Sequence, residues 1–429
     1  MSTISSVKGT RDFFPEEMAF RQWLYATLRD ISQSFGYQEF DGPFLERIEL
    51  YAAKSGEELV EQQAYVFADR GGDRVALRPE LTPTLARMVA QRVRALPLPI
   101  RWWSFGPFWR YEQPQKGRSR EFFQWNIDLL GIDSPQADAE IVAIGAQFLS
   151  SVGLEPEQVQ IRVNNRRLME TELAKLDIAS ELRDEVFRLI DRKEKMEPDE
   201  WRAYASDIGL SDPQLEGLRE LLDNADAWQE SEELTEFLST IEDLGVQDYV
   251  TFDPAIIRGL DYYTGTVFEA RDTAGEQRAI LGGGRYDNLV AEVGGDPVPG
   301  VGFAMGDVVL ELVLQQEGMY PDLRPNPADV LMTQFDEDTA RASVRAASLL
   351  RREGLRVEWY PEPGGLGKQF RYADRYGIPV VAILGPEELE TGDLAIKVMA
   401  TGEQETVPLE EAPDRIKVVL DDASIRPNS

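Results

Sequence analysis

The chain has 429 residues, carries 45 Lys+Arg against 77 Asp+Glu for a formal charge of −32, and contains neither cysteine nor histidine. That length suffices for two or three domains with buried cores. The two missing residue types exclude disulfides, thiolate nucleophiles, Cys- or His-ligated metals, imidazole bases and Ser-His-Asp triads. Chemistry is left to carboxylates, Arg, Lys, Tyr, backbone amides and ligand-borne ions, which favours reactions run by electrostatics, nucleotide chemistry foremost. The acidity has two open readings: a solvated surface suited to a salty cytoplasm, or a preference for cationic partners. Any nucleic-acid binding must then use local basic patches or screening salt. The N-terminus shows no apolar h-region, and no stretch approaches the roughly 20 apolar residues that cross a bilayer. A cytoplasmic protein without a membrane partner is expected.

In chain order, residues 16–34 carry apolar residues at helical spacing and predict an amphipathic helix. "FGYQEFDGPFLE" alternates and is closed by Pro43, as a strand ending in a turn. "AYVFADRGGDRVALRP" predicts a hairpin about Arg-Gly-Gly-Asp. "LTPTLARMVAQRVRAL" predicts a helix with Thr82 as N-cap and Pro83 at its first position. "IRWWSFGPFWRYE" and "EFFQWNIDLLGI" predict an antiparallel strand pair around a basic loop. Residues 168–250 hold 24 acidic and 8 basic residues at a helical period, and predict an inserted helical module. "RGLDYYTGTVFEARD" and "QRAILGGGRYDNLV" return to strand pattern, and "VPGVGFAMGDVVLELVLQQ" predicts a Gly-rich turn feeding an apolar helix. "YPDLRPNP", 320–327, carries three prolines and serves as the linker. Alternating strands and helices beyond it predict a small α/β domain.

Residues 101–120 concentrate Arg101, Arg110, Lys116, Arg118 and Arg120 against Glu112 alone. A basic loop is commonly just solvated; against so acidic a background, its self-repulsion points to a bound anion. If the flanking strands pair, Arg110 and Gln124 can project from one sheet face. "GVGFAMG" fits a phosphate-binding glycine pattern only superficially, since no βαβ unit surrounds it. Arg258, Asp261, Tyr262 and Tyr263 fall within six residues, either a hydrogen-bonded core cluster or a ligand site.

These segments together resemble the histidyl-tRNA synthetases, a class II aminoacyl-tRNA synthetase family, over nearly the full length. "KGTRDFFPEE" resembles the family's opening segment, and "FGYQEFDGPFLE" its motif 1. "LRPELTPTLAR" resembles the substrate-binding Arg-Pro-Glu segment, and "FWRYEQPQKGRSREFFQWNIDLLG" motif 2 with its loop. "RGLDYYTGTVFE" resembles the histidine signature, the most discriminating of the set. "LGGGRYDNL" and "VGFAMG" resemble the approach to motif 3, and "GLGKQFRYADRYGIPVVAILGPEEL" the anticodon-binding domain.

The resemblance implies an α+β catalytic core, an antiparallel sheet flanked by helices, over 1–167 and 251–320. A helical insertion would occupy 168–250, a linker 321–327, and an α/β anticodon-binding domain 328–429. It implies a homodimeric ligase that joins L-histidine to its tRNA using ATP with Mg²⁺, the metal held by no confidently assigned protein side chain. Arg110 and Arg258 would act on the ATP α-phosphate. Glu80, Leu81, Thr82, Arg110, Gln124, Asp128, Arg258, Tyr262 and Tyr263 would bind histidine, with Glu80 and Thr82 on its amino group. Arg110, Glu112, Gln115, Lys116 and Arg118 would meet ATP and the tRNA acceptor end. Two departures stand out. Asp307, Val308 and Val309 occupy the place of the motif 3 arginine, with Arg118, Arg285 or bound Mg²⁺ as replacements. Asp128 stands where a longer acid is usual. The alternative is the non-catalytic paralogue that serves as regulatory subunit of ATP phosphoribosyltransferase, which typically lacks the histidine signature and the anticodon domain.

Overall fold

The computed structural model describes residues 4–52, 63–193, 196–257 and 262–421. The chain forms two compact units, one of Met1–Arg11 and Tyr25–Tyr320 and one of Asp12–Leu24 and Pro321–Ser429. The first is built on an eight-stranded sheet of order β1-β5-β6-β11-β10-β9-β7-β8. Its strands are β1 (Gln38–Glu39), β5 (Ile100–Trp109), β6 (Glu121–Leu130), β7 (Val159–Asn165), β8 (Val250–Phe252), β9 (Thr266–Asp272), β10 (Leu281–Arg285) and β11 (Gly300–Gly306). All neighbours pair antiparallel except β1 with β5 and β7 with β8. A second, three-stranded sheet orders β2 (Leu45–Arg47), β4 (Arg74–Leu77) and β3 (Tyr65–Ala68) as β2-β4-β3.

The long strands form where aromatic and β-branched residues alternate. In β6, Trp125 and Ile127 are fully buried. Trp125 packs on Phe148 of the Pro135–Ser151 helix at 5.4 Å and on Phe303 of β11 at 4.9 Å. That helix starts at Ser134, whose side chain accepts from the Ala137 N–H, with Pro135 in the first turn. Alternation puts Phe122, Gln124, Asn126 and Asp128 on the opposite face, which carries the candidate site.

The predicted helices and hairpin appear, the first helix as Pro15–Ser34. The strand expected before Pro43 is only two residues long. It yields after Glu39 because Asp41 and Gly42 turn to hold the Arg78 guanidinium. Two further expectations are corrected. Thr82 is not an N-cap: the helix runs Thr82–Arg92, and Leu81 before it is already in the right-handed helical region, without a side-chain cap. "GVGFAMG" is not a turn but strand β11, paired to β6 and β10 along its length. Two of its glycines answer crowding: a side chain at Gly300 would overlap the Tyr286 ring, and one at Gly302 would overlap Asp128 Oδ1 and the Ile127 carbonyl.

Between β7 and β8 the chain forms helices Arg166–Lys175, Arg183–Asp191, Pro198–Asp207, Asp212–Leu222 and Glu232–Asp243. Asn165 caps the first, accepting from the Arg167 and Leu168 N–H groups. In the second unit, β12 (Val330–Met332), β13 (Val357–Trp359), β14 (Val380–Ile383), β15 (Asp393–Val398) and β16 (Gln404–Pro408) order as β13-β12-β14-β15-β16. The first three are parallel and the last two antiparallel, with a buried apolar cluster on each face.

Candidate active site

The site is built on the even-numbered face of β6. Asp128 is 4% exposed and accepts a 2.5 Å hydrogen bond from the Tyr286 hydroxyl at Oδ1. Burial pushes its carboxyl up to about 7, against the pull of that hydroxyl. The Tyr286 phenol, fully enclosed and beside this acid, is held well above its usual range by burial first. The Tyr286 ring meets Tyr262 edge-on at 6.2 Å, and Tyr262 packs on Tyr263 at 4.9 Å. The Tyr262 hydroxyl lies 3.4 Å from Glu80 Oε2. Glu80 is buried just before the Thr82–Arg92 helix, beside buried Leu81, with Thr82 half-buried. Four expected residues, Glu80, Asp128, Tyr262 and Tyr263, are thus joined through one, Tyr286, that the sequence reasoning missed. Gln124 is half-buried four residues along the same strand face. Arg258 and Asp261 lie outside the described residues.

At the open end of β5 and β6, the Arg110 N–H bonds the Arg120 carbonyl, extending the ladder one pair past Trp109 and Glu121. Even spacing along that ladder leaves Arg110 and Gln124 on one face, as expected. Arg110 Nε donates to the Pro79 carbonyl at 3.0 Å, and its guanidinium lies 5.4 Å from the centre of the Phe122 ring. Among the described residues no carboxylate pairs with Arg110.

The basic island is only partly free. Arg101 is turned to the other face, bidentate to Glu140 at 3.0 and 3.1 Å. Arg120 lies over the Tyr111 ring at 4.1 Å and donates to the Glu112 carbonyl. Arg118 pairs with Glu112 at 2.9 Å across a tight turn closed by Gln115 and Arg118. Gln115 and Lys116 are exposed at the loop tip.

One expectation about the motif 3 region changes. Arg285 is not a spare cation: it is 2% exposed and bound to Asp138 at 2.6 Å, to Asp287 at 3.1 Å and to two carbonyls. Asp307 is not an uncompensated negative charge, because Arg11 pairs with it at 2.6 Å and the Phe123 N–H donates to its other oxygen at 2.9 Å. Val309 is buried. Arg78, also absent from the expected site list, is fully buried between the Phe44 and Phe108 rings at 4.6 Å each, and it holds Asp41. Arg78 is the arginine of the Arg-Pro-Glu segment, but its burial is not legible in the sequence, because residues of separate strands and loops enclose it. No group of three or more acidic side chains among the described residues is arranged to hold a metal, and no described helix is long and apolar enough to cross a membrane.

A buried carboxylate walled by tyrosines can read a heteroaromatic N–H. An arginine with no carboxylate partner among the described residues, eight ladder positions along the same face, can neutralise a phosphate or carboxylate. Comparison with known proteins places the chain in a family. The histidyl-tRNA synthetase family model matches residues 9–307, and the anticodon binding domain model matches 330–418. The histidine–tRNA ligase of Haloarcula marismortui is 40% identical over 427 residues, covering 95% of this chain and 96% of that protein. That of Leptospira biflexa is 36% identical over 430 residues, covering 97% and 98%. A crystal structure of histidyl-tRNA synthetase from a Nostoc species has a TM-score of 0.85 at 27% identity, covering 98% of this chain and all of that one. The chain belongs to the histidyl-tRNA synthetase family, with an anticodon-binding domain following its catalytic region.

Proposed function

We propose that this protein is a histidine–tRNA ligase, and that the buried Asp128–Tyr286 pair, facing the tyrosine wall, is the reader of the histidine side chain. ATP is the activating substrate. The histidine carboxylate attacks the α-phosphorus, the bond to the β-phosphate oxygen breaks, and pyrophosphate leaves, giving histidyl-adenylate. A ribose hydroxyl at the 3′ end of the tRNA then attacks the acyl carbon, and AMP leaves. The nucleophile of the first step is the substrate's own carboxylate, so a protein without histidine or cysteine loses nothing. What is required is neutralisation of charge gathering on the α-phosphate.

Arg110 suits that role: its Nε is pinned to Pro79 and no described acid competes for its remaining donors. Arg258 is assigned the same phosphate from the other side. Glu80 and Thr82 take the substrate amino group, and Gln124, Tyr262 and Tyr263 complete the histidine pocket beside Leu81. Lys116, Gln115 and the Glu112–Arg118 pair face ATP and the acceptor end. Mg²⁺ enters with the nucleotide as MgATP. A side chain lacking an imidazole N–H would leave the Asp128 acceptor unpaired, at about 1–3 kcal/mol. Homodimer formation and a cytoplasmic setting complete the reading.

The test is histidine-dependent exchange of pyrophosphate into ATP, followed by charging of histidine tRNA. Exchange with histidine and not with other amino acids is expected. Histidine binding with no exchange at any ATP or salt concentration would favour the regulatory paralogue instead.

A further inference from the structure

The basic loop meets the 273–280 segment between β9 and β10 at a point that the roles above leave unused. A carbon added at Gly117 would lie 3.7 Å from Arg278 Cδ and 3.7 Å from Val309 Cγ2. The Arg278 stem and the Val309 side chain therefore flank the same loop glycine, no more than twice that distance apart. Gly117 itself has a φ of +75°, which lets the loop fold back tightly enough to bring the next residue, Arg118, beside them. Among the described residues Arg278 forms no ion pair and no hydrogen bond. Its guanidinium is pushed below its ordinary range, first by partial burial and then by the neighbouring Arg118 charge, against an opposing pull from Glu112. Glu112 is already bound to Arg118. Two arginines with one shared carboxylate thus stand together beside exposed Lys116.

Arg101, Arg120 and Arg285 each gain a partner within the fold; Arg278 gains none and loses energy to Arg118. Glu112, already bound to Arg118, offsets that repulsion only in part. A multiply charged anion would offset the rest, because each guanidinium can give a phosphate two parallel hydrogen bonds. Val309 stands where the resemblance leads one to expect the motif 3 arginine, and it cannot bind phosphate. We infer that Arg278, reaching across from the β9–β10 segment to the glycine that Val309 also flanks, binds the terminal phosphates of ATP together with Arg118, in place of that arginine. The inference rests on the ligase reading for the identity of the anion. The same cations suit the phosphodiesters of a tRNA acceptor end, but Arg278 lies over half-buried Gly117 on the side that buried Val309 also flanks, which favours the nucleotide.

The experiment uses the full-length protein and Arg278→Ala. Removing an exposed side chain that forms no ion pair or hydrogen bond among the described residues, and that repels Arg118, leaves the melting temperature unchanged or slightly raised. In pyrophosphate exchange, without tRNA, the KM for ATP is expected to rise about tenfold, equivalent to about 1.4 kcal/mol, while kcat and the KM for histidine stay within twofold. Inorganic tripolyphosphate, measured by calorimetry, is expected to bind about tenfold more weakly, with AMP affinity unchanged. Arg278→Lys should fall between. An unchanged KM for ATP with unchanged tripolyphosphate affinity overturns the proposal, as does equal weakening of AMP, ATP and histidine. A change confined to the KM for tRNA would assign the residue to the acceptor end and overturn it too. Absence of exchange in the unmodified protein would count against the ligase reading alone, since tripolyphosphate binding is read without catalysis.

Discussion

Two sets of arginines in the catalytic region are chemically identical and do opposite things. Arg78 and Arg285 are buried among partners: Asp41, two carbonyls and two aromatic rings for the first, whose Nη2 has no hydrogen bond, and three carboxylates and two carbonyls for the second. Arg110 and Arg278 sit at the mouth of the site, with a single carbonyl between them as hydrogen-bond acceptor. What sets Arg110 and Arg278 apart is that they lack a carboxylate partner among the described residues while facing the strands and loop of the candidate site. On the proposed reading, the first pair ties elements together and the second meets the nucleotide.

The contrast is broken most severely from the buried side. Arg285→Ala leaves buried Asp138 without its cation at the junction of β10 with the Pro135–Ser151 helix, while Asp287 keeps Arg167 at 3.1 Å. Removing one partner of a buried ion pair costs about 3–5 kcal/mol. The expected result is a large drop in the denaturant midpoint, with loss of activity following loss of fold. Full stability in this variant would mean that the acids are neutralised by other means and that burial does not mark a structural arginine.

Arg110→Ala should do the reverse. It removes one hydrogen bond to Pro79 from a half-buried position, so stability should fall by about 1 kcal/mol or less. Activation should fall about 10²–10³-fold, equivalent to about 3–4 kcal/mol of transition-state stabilisation, read as kcat in single-turnover formation of histidyl-adenylate. A variant with near-native kcat would remove Arg110 from the chemical step.

The same distinction explains what was legible in the sequence. The β5–loop–β6 hairpin could be read because ten-residue strands of alternating aromatics flank one run of charge, and both strand type and loop are local properties. The fate of each arginine in that run could not be read, because Arg101 is taken by Glu140 from a helix 39 residues on. Tyr286 was missed as the partner of Asp128 because they are 158 residues apart and meet only through the β6-β11-β10 pairing. β11 was mistaken for a turn because its glycines suggested flexibility; the close approach of Asp128 requires one of them. Thr82 looked like a cap beside Pro83, but Leu81 had already entered the helical conformation. Arg278 lies in "GEQRAI", which has no period and no motif; only its position over Gly117 distinguishes it.

The smallest effect, and the one that sharpens the comparison on the acidic side, belongs to Asp128. Its buried carboxyl is raised to about 7, above the roughly 3.9 of an unfolded aspartate. Burial of the charged form therefore costs stability: the contribution is fully present below pH about 4 and is lost as pH rises through about 7. Asp128→Asn removes that titration and keeps an acceptor for the Tyr286 hydroxyl. The variant should be more stable than the parent at pH 8.5, by about 1–2 kcal/mol, and the gain should shrink toward pH 6, where the parent carboxyl is largely neutral. Histidine binding should move the other way. An ionised Asp128 accepts the ring N–H more strongly than a neutral amide does, so the variant's KM for histidine should exceed the parent's about tenfold at pH 8.5 and by less at pH 6. The ring's own protonation near pH 6.5 is common to both proteins and cancels in the ratio. If melting temperature and histidine KM in the two proteins stay parallel from pH 6 to 8.5, Asp128 is neither the titrating group nor the acceptor for the ring, and the histidine pocket must be sought at Glu80 and Gln124.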